Sequence, residues 1–192
     1  MSFKIETERL ILRDVHEDDI PTLVAIFAER ESRKNILSRQ ADENYNKRNL
    51  ETGIAWARTT ARREHYVLSV ELKTDRTLIG NCSISYVEPE YFNTRIGWHY
   101  GHQYRGNGYA TEAARELLYI GFEIGNVMEI HADCFDENIA SIRVMEKIGM
   151  QADWNFGLMK FLRGMTYGEN KPAVRFKISK HQWHAQTNHR RQ

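Results

Sequence analysis

The spacing of apolar residues changes early in the chain. Ile5, Leu10 and Leu12 alternate with polar neighbours, so the later half of residues 5–13 predicts a strand. Ile20, Leu23, Val24 and Phe27 then recur at i, i+3, i+4 and i+7, the stripe of an amphipathic helix. The acids at 17–19 suit its start, and Pro21 is tolerated in a first turn. Residues 30–43 hold no clear period and read as a loop. A second helix is predicted over 45–62, with Leu50, Ile54, Trp56 and Ala57 on or near its inner face. Residues 66–72 and 78–87 predict paired strands joined by Thr74, Asp75 and Arg76, and Gly80 marks a bulge or a close approach. Further along, the pattern predicts strand 94–100, helix 109–125, strand 129–134, helix 138–149, and closing strands 154–163 and 173–178. With no repeat, low-complexity run or linker, one domain is expected over 1–183, followed by a polar, basic tail over 184–192.

Composition narrows the function classes. Hydrophobic residues make up 41% of the 192, an ordinary share for a globular domain with a real core. The net charge of +1 supplies no global field for nucleic acid or an anionic membrane, and neither is an expected partner. No apolar run reaches membrane-spanning length and the opening residues are charged, so a cytoplasmic protein is expected. Cys82 and Cys134 fall in strands and read as buried thiols. No metal-ligand spacing is present; His181, His184 and His189 fall in the polar C-terminal stretch, which reads as a frayed end.

The chemistry concentrates in Gln103-Tyr104-Arg105-Gly106-Asn107-Gly108-Tyr109-Ala110. Strand, glycine-rich loop and helix follow one another here. Such a loop leaves backbone N–H groups unpaired at a helix N-terminus, where the macrodipole adds positive charge, and this suits a phosphate. A P-loop would need Lys followed by Ser or Thr, where Tyr109 and Ala110 stand. A dinucleotide fingerprint would need a third glycine, where Thr111 stands.

The remaining pattern, Gln103-x-x-Gly106-x-Gly108, resembles the acetyl-CoA diphosphate loop of the GCN5-related N-acetyltransferases. Residues 138–150, opening with Asn138 and ending Glu146-Lys147-Ile148-Gly149-Met150, resemble that family's second coenzyme segment. Asn138 is also a good helix cap and Gly149 a good C-terminal stop, with Ile142, Met145 and Ile148 at core spacing. Thr7-Glu8-Arg9-Leu10, Ala110 to Ala113, and Asn138 with Ser141 are similar to the branch that acetylates ribosomal-protein N-termini. The resemblance runs from about residue 6 to 183. It implies an α/β fold with a central mixed, mostly antiparallel sheet of about six to seven strands and about four helices, splayed between the fourth and fifth strands. It also implies acetyl-CoA as cosubstrate, held by the backbone of Trp98, His99 and Tyr100, by Gln103 to Ala110, and by Asn138 and Ser141.

The implied reaction moves an acetyl group to a primary amine, most naturally a protein or peptide N-terminal α-amino group. A small amine, amino acid or drug as acceptor, or a non-catalytic acyl-CoA-binding module, are the alternatives. The amine must lose a proton, and the developing oxyanion needs preplaced donors. Relatives place a tyrosine seven residues after the motif asparagine; here that residue is Met145. Ser141 lies one turn beyond Asn138 and is the candidate partner of the leaving sulfur. Relatives often carry a glutamate base where this chain has Arg95. Glu88 and Glu90, flanking Pro89, are the next candidates by chain order; both read first as solvated loop acids, and Glu88 is the catalytic candidate of the two. His131 and Asp133 share a strand face, as a buried pair or a proton relay. Glu112 reads as structural. Nothing in the sequence marks an oligomer surface.

Overall fold

Strand β3 (His65–Leu72) is buried over all but its two ends, and that single fact fixes the middle of the sheet. A computed structural model describes residues 2–30, 43–59, 63–86, 94–154 and 173–188. Their sheet also contains β1 (Lys4–Glu6), β2 (Leu10–Asp14), β4 (Leu78–Ser85), β5 (Thr94–Tyr100), β6 (Glu129–Phe135), β7 (Gln151–Ala152) and β8 (Ala173–Ser179). The spatial order is β1-β2-β3-β4-β5-β6-β8-β7. Every pairing is antiparallel except β5 with β6. Five α-helices are described: α1 (Ile20–Ala28), α2 (Glu43–Ala57), α3 (Tyr109–Tyr119), α4 (Ile139–Lys147) and α5 (Lys180–Asn188).

Strand alternation divides the core into two layers. Leu10, Leu12, Leu68, Val70, Cys82, Ile84, Ile96 and Tyr100 join Ala113, Ala114, Leu117 and Leu118 of α3 on one face. Val15 and Val67 meet Leu23 and Ile26 of α1 and Leu50 and Ile54 of α2 on the other. Both cysteines are free and buried. Burial pushes the Cys134 thiol up to about 12, and the Cys82 thiol further, so both stay protonated.

The α/β class and the mixed, mostly antiparallel sheet are as expected, with several elements redrawn. The single opening strand is a hairpin. The Thr7 amide donates to the Leu10 carbonyl at 3.0 Å and Thr7 Oγ1 accepts from the Leu10 amide at 3.0 Å, which folds the chain back and pairs Ile5 with Leu12. This hairpin and the two-residue β7 raise the strands to eight, and the splay falls between β5 and β6. The second helix is Glu43–Ala57, shorter than the periodicity suggested. Helix α3 widens into a π turn over Ile120–Ile124, closed by the Gly125 amide on the Ile120 carbonyl at 2.8 Å. Residues 184–188, expected in a frayed tail, continue α5, and Trp183 on that helix stacks on Phe122 with ring centres 5.9 Å apart. The loop expected over 30–43 and the strand expected over 154–163 lie almost wholly outside the described residues. Gly80 sits at the register shift between β3 and β4, where any side chain would collide with the His99 carbonyl. No described helix is long and apolar enough to cross a membrane.

Gly53 explains how closely α2 approaches the sheet: a Cβ there would lie 2.5 Å from Val67 Cβ, an atom fixed to the β3 backbone. Replacing Gly53 with Leu should therefore destabilise the fold by about 1–3 kcal/mol through overpacking. A urea midpoint equal to the parent protein's would contradict this packing.

Candidate active site

The parallel pairing of β5 with β6 lasts two rungs, Thr94 with Ile130 and Arg95 with His131. Across its other edge β5 keeps six rungs with β4, from Gly80–Tyr100 to Ser85–Arg95. From Ile96 to Tyr100 the edge facing β6 therefore has no strand partner among the described residues, and its N–H and C=O groups line an open cleft. The splay predicted from the sequence is this divergence.

The chain leaves the cleft through a 3-10 turn, His102–Tyr104, tied to the end of α1 by the His102 amide donating to Glu29 Oε2 at 2.8 Å. Gly106 and Gly108 follow with φ of +81° and +82°, a conformation that L side chains rarely adopt. Gly108 caps α3 without a side chain, and a Cβ at Gly106 would point into open space. Asn107 stiffens the loop by donating to the carbonyls of Tyr104 and Arg105, each at 3.2 Å. The amides of Tyr104 and Arg105 serve the turn itself. Among the described residues no acceptor meets the amides from Gly106 to Thr111. The free run thus begins at Gly106, past the turn, and continues into the helix.

A clamp the sequence did not reveal holds this loop. Glu112, in the first turn of α3, accepts from Thr7 Oγ1 at 2.5 Å and from the Arg9 amide and Nε at 2.8 Å each. Arg9 Nη1 also donates to the Asn107 carbonyl at 2.9 Å, and its guanidinium lies 4.8 Å above the Tyr109 ring. The turn between β1 and β2 is thereby pinned to the glycine loop. Burial alone pushes the Glu112 carboxyl up, but the hydrogen bonds from Thr7 and Arg9, with Arg9's charge, outweigh it and hold the group below its ordinary value. Its structural reading is borne out.

Other candidates divide by strand face. Tyr100 is buried in the core and Trp98 packs against it, so either would offer a ligand its backbone only. His99 points the opposite way, with its ring centre 4.6 Å from that of Phe27. Burial, with Arg105's charge, pushes His99 down to about 4, so it is neutral near pH 7 and a weak base. Gln103 is exposed beside the loop. Asn138 caps α4 by accepting from the Ser141 amide at 3.2 Å, and Ser141 is half-buried. Met145 is buried in the core, so no hydroxyl stands there. Glu88 and Glu90 lie outside the described residues.

Asp133 is gripped by Arg175, Nε to Oδ1 at 2.7 Å and Nη2 to Oδ2 at 3.1 Å, while Arg95 Nη1 approaches Oδ2 at 3.4 Å. His131 sits 3.1 Å from Glu129, so His131 and Asp133 do not pair with each other. His65 Nδ1 and Ser85 Oγ lie 2.6 Å apart in the same cross-strand row as Arg95 and His131. No short-range pattern signalled the His65–Ser85 and Asp133–Arg175 pairings, because their partners lie 20 and 42 positions apart in the chain.

A mixed sheet that opens beside a bare glycine loop defines a class of coenzyme-dependent acyltransferases. The profile of the acetyltransferase (GNAT) domain family matches residues 9–151, and the chain belongs to that family. It is 41% identical over 90 residues to the uncharacterized N-acetyltransferase YnaD of Bacillus subtilis, a match over 45% of this chain and about half (51%) of YnaD. Among solved structures it is similar to a GNAT-family acetyltransferase from Bacillus anthracis, at TM-score 0.73 and 24% identity over 93% of this chain and 99% of that one. It also resembles RimL, the ribosomal L7/L12 α-N-protein acetyltransferase solved with coenzyme A, at TM-score 0.72 and 14% identity over 92% and 98% of the two chains.

The folded carboxyl of Glu112 titrates below its unfolded value, so its stabilisation is present above the unfolded pKa and is lost as pH falls through the folded one. Glu112→Gln should lower stability by about 1 kcal/mol at pH 7, discounted for the half-exposed Arg9 partner. The gap to the parent protein should narrow as pH drops toward about 4. Denaturant melts across that range would show a pH-independent gap if Glu112 did not act through its charge.

Proposed function

We propose that the protein transfers the acetyl group of acetyl-CoA to a primary amine, and that the acceptor is a protein or peptide N-terminal α-amino group. One observation carries the reading: among the described residues, consecutive amides from Gly106 to Thr111 are without acceptors, at the N-terminus of α3 and just past a strand whose edge is bare. Those amides and the α3 dipole suit the coenzyme's diphosphate. RimL is a structural neighbour with coenzyme A bound, which supports the cosubstrate.

The residues present fit such a ligand. The bare edge of β5 spans five residues, about 16 Å of backbone, of which Ile96, Trp98 and Tyr100 turn their N–H and C=O groups away from β4 toward the coenzyme's amide-bearing arm, the Tyr100 carbonyl already accepting from Arg105 Nε at 3.3 Å. Asn138 and Ser141, at the start of α4, are the side chains we assign to the arm, and the Ser141 hydroxyl would donate to the sulfur. When bound, acetyl-CoA supplies an activated thioester acetyl group. Main-chain N–H groups of β5 would supply preplaced donors for the carbonyl oxygen.

The acceptor follows from the electrostatics. Arg95 occupies the last rung before the cleft, and Glu88, the candidate base, falls outside the described residues. The amine that is most often neutral asks least of a base. At pH 7 about one α-amino group in ten is unprotonated, against about one lysine in 2,500. The likeness to RimL, an α-N-protein acetyltransferase, supports the same choice.

Purified protein incubated with acetyl-CoA and short peptides should release free thiol, faster with a free α-amine than with a blocked N-terminus and free lysine. No thiol release with any amine would refute the transferase reading. Gly106→Val should weaken coenzyme A binding at least tenfold by calorimetry, because it removes the left-handed turn that aims the amides. An unchanged Kd would place the diphosphate elsewhere.

A further inference from the structure

Three same-face positions meet where the cleft closes. Tyr100 and Ile96 bury their side chains against α3, so Arg95, Gly97 and His99 point to the opposite face of β5. Among the described residues Gly97 leaves that face bare beside Arg95: a Cβ placed there would meet only Ser83 Oγ, at 3.8 Å. Arg95 is 44% exposed, and among the described residues its one ion-pair partner is Asp133 at 3.4 Å. Asp133 already accepts the two-pronged grip of Arg175. Two guanidiniums thus face one carboxylate. The other charges on this face are otherwise engaged. Lys177 lies 3.8 Å from both Glu129 and Asp153, His131 pairs with Glu129, and the neighbouring Ser85 is held by His65.

We propose that Arg95 is the specificity determinant of the acceptor site, receiving an anionic group, most simply a carboxylate, carried by the acceptor close to its reacting amine. The proposal rests on the transferase reading. Alternate residues on a strand face are about 7 Å apart. An amine over the bare Gly97 therefore places a carboxylate a few bonds away on the free donors of Arg95. A guanidinium presents its donors as a planar fork matched to a carboxylate, and one long contact to Asp133 leaves most of that fork unfilled. The same charge disfavours an acceptor with a second cation at this distance, as in a polyamine. An acidic residue at the start of a peptide and the α-carboxylate of a free amino acid share the required chemistry.

Thiol release would be measured for matched acceptors: peptides beginning Asp or Glu against the same peptides beginning Asn or Gln, free aspartate against its diamide, and spermidine. The parent protein should prefer the anionic member of a pair at least tenfold in kcat/KM. Preference confined to the peptide pair assigns the anion to an acidic first residue, and preference confined to the free pair assigns it to an amino acid. Arg95→Gln should collapse that ratio toward one, mainly through KM, while Arg95→Lys retains part of it. Coenzyme A affinity and the thermal melt of both variants would show that cleft and fold persist. Turnover with no charge preference in the parent, or equal losses on both members of a pair in Arg95→Gln, overturns the proposal and leaves the transferase reading intact. Silence with every acceptor removes both.

Discussion

Two rungs of parallel pairing between β5 and β6 hold this structure together and also open it. Thr94 and Arg95 bond across to Ile130 and His131, and the strands then part. A bare strand edge is costly inside a protein unless water or a ligand takes its hydrogen bonds. Here the cost is sustained because β5 is anchored over six rungs to β4, and because β6 is anchored over seven to β8. The cleft is stable because each wall belongs to a well-bonded ribbon. A third or fourth rung would close it, and the glycine loop would then lead nowhere.

The loop is held by a different kind of interaction. Its amides are useful only when unpaired, so the loop cannot stabilise itself with backbone hydrogen bonds. Side chains from elsewhere do that work: Asn107 braces the turn from within, Glu29 holds its start, and Arg9 with Glu112 and Thr7 pins its far side. The Thr7-Glu8-Arg9 stretch, noticed in the sequence as a family marker, thereby acquires a mechanical reason. It is the buckle between the first hairpin and the coenzyme-side helix.

Much of this was legible in local pattern. The hydrophobic stripe of α1, the cap and stop of α4 at Asn138 and Gly149, and the glycines before α3 obey rules that involve neighbours a few positions apart. The hairpin at Thr7 was missed because a hydroxyl-to-amide bond over three residues leaves the same apolar spacing as a continuous strand. The π turn after Tyr119 was missed because one extra residue per turn hardly disturbs helical periodicity. The end of α2 came early for the opposite reason, since periodicity has no sharp stop without a capping residue.

The sequence by itself determined that a strand, a two-glycine loop and a helix follow one another, because steric freedom at glycine and helix-terminal polarity are local properties. It also determined that Met145 and Arg95 depart from the usual pattern. Only the tertiary structure decided what Arg95 does. Its partner Asp133 and the competing Arg175 come from strands 38 and 80 positions away, and the open space at Gly97 exists because of what does not pack against it. Charge balance and empty volume are sums over neighbours in space, and no window along the chain contains them.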